Sequence, residues 1–359
     1  MNNKHFAKLL IDWYETNKRA LPWRESSDPY RIWLSEVILQ QTRVAQGLPY
    51  YEAFVSKYPK VEDLAAAPAD EVMRTWQGLG YYSRARNLHA CAQQVVDLYG
   101  GKFPETYEQL LQLKGIGSYT AAAIASFAFK EVVPVVDGNV YRVLARIFGI
   151  EADIADAKTK QIFESKAAEL ISQEHPDAFN QAIMEFGALH CTPHNPLCMT
   201  CPFQQACVAY RGGLQRALPV KSKKVKVRTR HFYYLIMKDE KERLLVKQRQ
   251  AGDIWQGLYD FPLIESESPL DTEQLKAALK TTFGLDRVTT VEDVAGKTFK
   301  HILTHQRIYA SFVSISLTQS DISKINQNPQ IAHNEWVNEA KLEELPKPIL
   351  IEKFLKIMI

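Results

Sequence analysis

Long apolar runs are missing from this chain. The longest, Ala121 to Phe129, is far short of a bilayer's thickness, so no membrane partner is expected. Charge of one sign is missing too. Lys and Arg number 44 against 41 Asp and Glu, a net of +3, so any case for an anionic partner has to rest on local patterning. Cysteine is scarce, with five residues in 359, too few for a disulfide scaffold. No export leader is expected either: MNNKHFAKLLIDWYETNKRA is interrupted by Lys8 and Asp12 and reads as an amphipathic helix. A reducing, cytoplasmic setting is therefore expected, where thiols serve as ligands more readily than as disulfides. No separate oligomerisation segment stands out, so a monomer is expected. What remains, 46% hydrophobic and 24% charged, is ordinary globular composition in a chain long enough for more than one domain.

Against that background the stretch from Leu113 to Asp137 stands out. A short helix is predicted over Tyr107 to Leu113, capped by Thr106 with Gln109 three residues on. Lys114-Gly115-Ile116-Gly117 then makes a tight turn, and an Ala-rich helix starts at Ser118. Helix, glycine hairpin and helix leave backbone amides at the second helix's start, where they suit a phosphate. The extended Val132 to Val136 leads to Asp137, placed to cap a helix over 139–148.

Other segments carry chemistry. Arg19-Ala-Leu-Pro-Trp23-Arg24 sets a Trp between two guanidiniums. The following helix, Tyr30 to Thr42, is apolar on nearly every face and carries Glu36. A carboxyl there loses water and its pKa rises, which suits a general acid; a structural Glu paired with a buried Arg is the equal alternative. Gln77-Gly-Leu-Gly-Tyr81-Tyr82-Ser-Arg84-Ala-Arg86 joins aromatic rings to cations, as a wedge against stacked bases would, or as Tyr packing over a helix end. Helices are also expected over 5–17, 158–173 and 177–190, the last with Glu185 in an apolar setting. Cys191, Cys198, Cys201 and Cys207 have the spacing C-x6-C-x2-C-x5-C, a metal-binding loop whose rival occupants are zinc and iron–sulfur. Cys91 reads as a small core residue.

From Gly213 to Arg230 the chain is basic with no acidic residue: a linker that either tracks phosphates or is a solvated hinge. Beyond it β-like runs appear at 232–237, 243–247 and 310–317, with an aromatic turn at Trp255 to Pro262 and an amphipathic helix at 270–283. The division expected is a helical domain over 1–212, a linker over 213–230 and an α/β domain over 231–359.

Hairpin, aspartate and cysteine loop resemble those of the endonuclease III superfamily of DNA glycosylases. Glu36 in SEVILQQT, Trp23-Arg24 and GLGYYSRARN narrow the resemblance to the MutY-type adenine DNA glycosylases, and the Trp-x-Gly-Leu-x-x-Phe-Pro turn resembles that family's Nudix-like domain. The resemblance spans essentially the whole chain. It implies an all-α helix-hairpin-helix domain holding a 4Fe–4S cluster on the four loop cysteines, followed by an α/β Nudix-like domain that recognises 8-oxoguanine. It implies excision of adenine opposite 8-oxoguanine or guanine in duplex DNA, with the base flipped out. By the same resemblance Glu36 protonates adenine N7, and Asp137 stabilises the sugar cation, with Tyr119 and Asn139 around it. Glu185 lies near the adenine beside Arg19, Trp23 and Arg24. Gln41 and Tyr81 fill the gap at the oxidised guanine, and amides at Gly115 and Gly117 grip the backbone. Thr304 and His305 inspect the lesion, where Leu303 replaces the aromatic that the family often carries. The cluster would shape a basic DNA-binding loop.

Two departures narrow the chemistry further. Bifunctional relatives carry a nucleophilic Lys just before the position of Thr120; here Tyr119 stands there, so no Schiff base forms and strand cleavage is expected to be absent or weak. The helix LDTEQLKAALKTTFGL lacks the glutamate-rich core of Nudix hydrolases, so that domain is expected to bind without pyrophosphatase chemistry. The rivals are a thymine or uracil mismatch glycosylase, a bifunctional lyase, a non-catalytic DNA-binding or iron–sulfur structural protein and a metal-dependent nucleotide hydrolase.

Overall fold

Capping side chains decide where several helices begin. In a computed structural model of the protein, which describes residues 2–156, 158–222, 227–285, 291–328 and 334–358, the Asn2 side chain accepts from the His5 amide at 2.8 Å to start α1 (Asn3–Asn17). Asp28 accepts from the Tyr30 amide at 3.0 Å and Pro29 fills the first turn of α2 (Pro29–Leu39). There follow α3 (Val44–Lys57), α4 (Val61–Ala66), α5 (Ala69–Thr75), α6 (Ser83–Tyr99), α7 (Tyr107–Leu110), α8 (Ser118–Phe129), α9 (Gly138–Phe148), α10 (Thr159–Leu170), α11 (Pro176–Leu189) and α12 (Val208–Gly212). None of the helices among the described residues is long and apolar enough to cross a membrane.

The chain divides into two compact units: Met1–Ala66 with Asn87–Lys223, and Ala67–Arg86 with Lys224–Ile359. The first is helical. Its core gathers Phe6 and Leu10 of α1, Val143 and Leu144 of α9, Phe163 of α10 and Phe179 and Phe186 of α11. α2 is buried along its length from Ile32 to Ile38 and packs on α8. The hairpin follows the expected plan with one difference. α7 stops at Leu110, three residues early, and Gln112, Leu113 and Ile116 continue in single turns that bond three residues back. Gly115 sits at φ 76°, where a side chain is strained, and a methyl there would lie 2.5 Å from the Asn87 Cβ.

The second unit is mixed. Its strands are β1 (Arg228–Met237), β2 (Leu244–Gln248), β3 (Tyr259–Asp260), β4 (Leu263–Ser266), β5 (Val291–Asp293), β6 (Phe299–Ile302), β7 (Gln306–Ile315) and β8 (Asn334–Val337). β1 lies between antiparallel β4 and parallel β7, in register from Arg228–Gln306 to Met237–Ile315. β7 also takes β5 and β6, both antiparallel, while β3, β2 and β8 form a second sheet. The helices are α13 (Thr272–Phe283), α14 (Gln319–Gln327), α15 (Glu339–Glu344) and α16 (Ile349–Met358). Leu235, Leu245, Leu279, Phe283 and Val313 share one core, and Phe312 stacks on Phe354 at 3.9 Å.

Residues 67–86 belong with this unit through specific bonds. The Arg86 guanidinium donates to the Gln256 carbonyl at 2.7 Å, and the Lys347 amide donates to Gln77 Oε1 at 2.8 Å. The expected basic linker lies partly outside the described residues, at 223–226; Ser222, just before them, bonds to Asp153. Gly115→Ala should cost about 1–3 kcal/mol, because positive φ and the clash with Asn87 act together. Urea unfolding checks this, and an unchanged midpoint would show that the hairpin backbone relaxes.

Candidate active site

The apolar faces of α2, α8, α9 and α11 leave a cavity of about 770 Å³, lined by Trp23, Arg24, Glu36, Leu39, Tyr119, Asp137, Asn139, Met184 and Glu185 among others. Glu36, on α2, is 8% exposed. Burial raises its carboxyl to about 7; the Asp137 charge adds to the rise, and the Tyr119 hydrogen bond and the Arg24 charge oppose it. That bond is short: the Tyr119 hydroxyl donates to Glu36 Oε2 at 2.6 Å. Tyr119 is in the second position of α8, straight after the glycine hairpin, so the hairpin's placement of α8 delivers the phenol.

Asp137 caps α9. Its Oδ1 accepts from the amides of Asn139 and Val140, both at 2.8 Å, and Oδ2 accepts from Asn139 Nδ2 at 2.7 Å. Burial pushes this carboxyl up from its ordinary value, opposed by those three donors and the Arg142 charge. Asn139 is held in turn. Arg142 donates to Asn139 Oδ1 at 2.8 Å, to the Gly187 carbonyl at 2.6 Å and to the Cys191 carbonyl at 2.7 Å. Gly187 has to be glycine for this: a methyl there would lie 2.6 Å from Asn139 Cβ and 2.9 Å from its carbonyl oxygen.

Glu185 realises the buried Glu–Arg pairing that stood as the alternative for Glu36. Oε1 accepts from the Arg19 amide, Arg19 Nε and Arg24 Nη1 at 3.0, 2.8 and 2.9 Å. Oε2 accepts from Arg19 Nη2 at 2.5 Å and Arg24 Nη2 at 2.8 Å. Burial pulls this carboxyl up, but the two guanidiniums win and hold it at about 2. Five donors exhaust a carboxylate's lone pairs, so Glu185 fixes Arg19 and Arg24 and has no oxygen free. Trp23 is 8% exposed, edge-on to Tyr51 at 5.1 Å.

The remaining candidates are placed elsewhere. Gly115 and Gly117 are exposed at the hairpin, with open space over Gly117. Gln41 is exposed at the end of α2 with φ 54°. In the second unit, Thr304 and His305 form a two-residue tip between β6 and β7, closed by the bond from the Leu303 amide to the Gln306 carbonyl at 2.8 Å. Tyr81 is 48% exposed at φ 48°, its hydroxyl 2.8 Å from Thr304 Oγ1. Both Gln41 and Tyr81 thus hold left-handed backbone, strain that tends to collect at working sites. Sequence reasoning missed Arg142, Gly187 and Asn180. Asn180 pins the segment before Asp137 by donating to the Val133 carbonyl at 2.9 Å and accepting from the Val135 amide at 3.0 Å. The signal available was Arg142 and Arg146, one turn apart in an otherwise apolar helix, RVLAR.

Cys191, Cys198, Cys201 and Cys207 line one cavity, together with Arg146 and His190. Arg146 Nη1 lies 3.4 Å from Cys191 Sγ. The Phe203 amide faces Cys201, and the Ala209 and Tyr210 amides face Cys207. Among the described residues no three His, Cys, Asp or Glu side chains close on a single-ion position, and the four cysteines share the lining of one cavity. Donors aimed at sulfur from several sides fit a metal–sulfur centre. The loop from 191 to 207 contains no Lys or Arg, so the expected basic loop is corrected: cations reach it from α9, where Arg142 bonds the Cys191 carbonyl and Arg146 the Thr192 and Pro193 carbonyls. Cys91 is fully buried, and burial pushes its thiol up to about 12, as a core residue requires.

This geometry can be set beside known proteins. Residues 34–171 match the model of the HhH-GPD superfamily base excision DNA repair proteins, and residues 233–356 match the NUDIX domain. An adenine DNA glycosylase of Buchnera aphidicola (Baizongia pistaciae) is 30% identical over 345 residues, 96% of this chain and 94% of that protein. The mouse adenine DNA glycosylase is 48% identical over 215 residues, 57% of this chain but only 42% of the mouse protein. A thermostable thymine-DNA glycosylase of known structure superposes with TM-score 0.54 and 30% identity, covering 58% of this chain and 97% of that one. Endonuclease III in a DNA complex shares the fold at TM-score 0.51 and 23% identity, covering 60% of this chain and 99% of that one. The helical unit with its hairpin is thus of the base-excision repair class, joined to a Nudix-like domain. The chain belongs to the MutY-type adenine DNA glycosylase family.

Tyr119→Phe removes the one hydroxyl that lowers the Glu36 carboxyl, so the Glu36 midpoint should move above about 7. A carboxyl-stretch titration by difference infrared spectroscopy reads it; an unmoved midpoint would show that the bond carries no charge-state preference.

Proposed function

We propose that the chain removes adenine opposite 8-oxoguanine, or opposite guanine, from duplex DNA and leaves the strand uncut. The observation carrying this is one cavity faced by two carboxyls in different settings, Glu36 raised to about 7 with one phenol donor and Asp137 under three N–H donors, in a chain of this family. A purine nucleoside must leave the stack to reach it, at a cost of about a few kcal/mol. Tyr119 holds Oε2 of Glu36, which leaves Oε1 to carry the proton. Glu36 gives that proton to N7 as the C1′–N9 bond breaks, and the bond's electron pair leaves with neutral adenine. Positive charge then develops on the sugar, and ionised Asp137, fixed by Asn139, stabilises it. Water adds at C1′ and its proton passes to a carboxylate, which closes the cycle. Arg19 and Arg24, locked on Glu185, shape the base pocket beside Trp23. With Tyr119 where a lyase has its amine, no covalent imine forms.

Gly115 and Gly117 supply backbone amides to phosphate. Gln41 and Tyr81 enter the space vacated beside the oxidised guanine, and Thr304 with His305 reads that base by hydrogen bonds. Cys191, Cys198, Cys201 and Cys207 hold a 4Fe–4S cluster, which when bound cross-links the loop and contributes folding energy.

The test is a single-turnover assay on a duplex with adenine opposite 8-oxoguanine, split between direct analysis and alkali, with a guanine–thymine duplex alongside. Nicks confined to the adenine strand after alkali are expected. Guanine–thymine cleavage alone would move the chain toward the sibling represented by the thymine-DNA glycosylase. Asp137→Asn keeps a good helix cap, so it should bind the lesion duplex normally yet release adenine orders of magnitude more slowly; near-normal turnover would sink the role of Asp137. Since the working form of Glu36 is protonated, the single-turnover rate should hold below about 7 and fall above it, by about tenfold per pH unit at the limit. A rate that rises through that range would mean Glu36 acts as a base.

A further inference from the structure

The sheet built on β1 and β7 is covered only in part on one of its faces. Side chains alternate between faces along a strand, and residues paired across strands share a face. On the face that holds Leu235 and Val313, α13 supplies Leu275, Leu279 and Phe283, and this cover begins at Tyr233 and Ile264. The two cross-strand rows before it lie outside that cluster. One runs Ile302–Arg307–Thr229 across β6, β7 and β1, and the other runs Lys300–Tyr309–His231–Ser266 from β6 to β4. Ile302, Arg307, Thr229 and Lys300 are exposed, Ile302 by 65%. Tyr309 and His231 are half-buried and stack at 5.3 Å and 15°, with the Lys300 ammonium 5.8 Å from the Tyr309 ring. Neither row contains a carboxylate. A lone exposed aliphatic is ordinary. This one stands across from one cation and two residues from another, on a sheet, at the foot of the Thr304–His305 tip.

We infer that these two rows bind the sugar–phosphate backbone of duplex DNA beside the base that the tip reads, with Arg307 and Lys300 on phosphates and Ile302 against the sugar edges. This rests on the reading of Thr304 and His305 as the residues that inspect that base. Two arguments choose the occupant. The first is charge: cations without a carboxylate among them match a polyanion, and phosphate contacts of this kind fix the register of a protein on a duplex. The second is continuity: the same β6–β7 hairpin carries the tip and the rows, so a base held at the tip brings its own backbone over them. The tip also explains why the apolar contact falls to Ile302. Leu303, where the resemblance places an aromatic, is half-buried, and its amide and carbonyl are both closed onto Gln306, at 2.8 and 3.4 Å. Ile302 is the apolar side chain left open to a ligand there.

The experiment titrates the full-length protein onto a labelled duplex with adenine opposite 8-oxoguanine, the adenosine carrying a 2′-fluorine to block excision, over a series of salt concentrations. A matched adenine–thymine duplex runs alongside. A wild type with no preference for the 8-oxoguanine duplex would refute the reading of the tip, and the placement of these rows with it. With that preference present, Arg307→Gln and Lys300→Gln should each lower the slope of log affinity against log salt by about 0.9. Ile302→Ser should weaken binding about fivefold at an unchanged slope, because it removes apolar contact and no charge. Wild-type affinity and slope in both cation variants would overturn the proposal while leaving the reading of the tip intact. The location is read with duplexes in which single phosphates flanking the 8-oxoguanine are replaced by neutral methylphosphonates. At one of them Arg307→Gln should cost nothing further. A full additional loss at every flanking position would put the guanidinium's contact elsewhere and overturn the assignment.

Discussion

Loss of water from carboxyl groups is the constraint that shapes the helical unit. Three of them, Glu36, Asp137 and Glu185, face one cavity, and burial pulls each toward its neutral form. What differs is the answer each receives. Glu36 gets one phenol hydroxyl, Asp137 gets three N–H donors at a helix start, and Glu185 gets two guanidinium forks. A graded series of donors thus gives one chemical group three settings: a carboxyl raised to about 7, a helix cap and an anchor for two guanidiniums. Much of the surrounding architecture delivers those donors. The glycine hairpin presents Tyr119, α9 turns its amides on Asp137, and the turn before α2 brings Arg19 and Arg24 back onto α11.

α11 works as the back wall of this arrangement. Asn180 grips the extended segment before Asp137, Glu185 fixes the arginines, and Gly187 leaves room for the start of α9. All three lie on one helix, so the segment before Asp137, the arginines and the start of α9 are held by a common element. Arg142 extends the same frame, joining Asn139 to the Gly187 and Cys191 carbonyls. The Asp137 carboxyl is therefore positioned from two sides, by the start of α9 and by the contacts of Asn180 and Arg142.

What could be read from sequence was what local rules decide. An apolar helix with one Glu, a GxG turn between helices, an Asp ahead of a helix and four cysteines at short spacing are visible because the residues concerned are neighbours. The early stop of α7 is a local miss, where a turn of tighter geometry outcompeted helix. The larger gaps are non-local. Glu185 meets Arg19 from 166 residues away, and Tyr81 meets Thr304 from 223 away, distances at which no periodicity speaks. Gly187 shows its purpose only against the packed backbone of Asn139. That the buried Glu–Arg pairing falls to Glu185 and not to Glu36 has the same origin, since both read as a lone carboxyl in an apolar helix until their partners are seen.

The discontinuous make-up of the second unit has a consequence during synthesis. Residues 67–86 leave the ribosome well before the strands they join, with about 140 residues of chain in between. At roughly 5–20 residues per second that is a wait of about 7–30 seconds before their partners begin to emerge. Val72, Met73, Trp76 and Leu79, all buried in the finished protein, have to be sheltered through that interval. Nascent chains stalled after the helical unit would display this segment, which makes it a natural target for chaperones while translation is still under way.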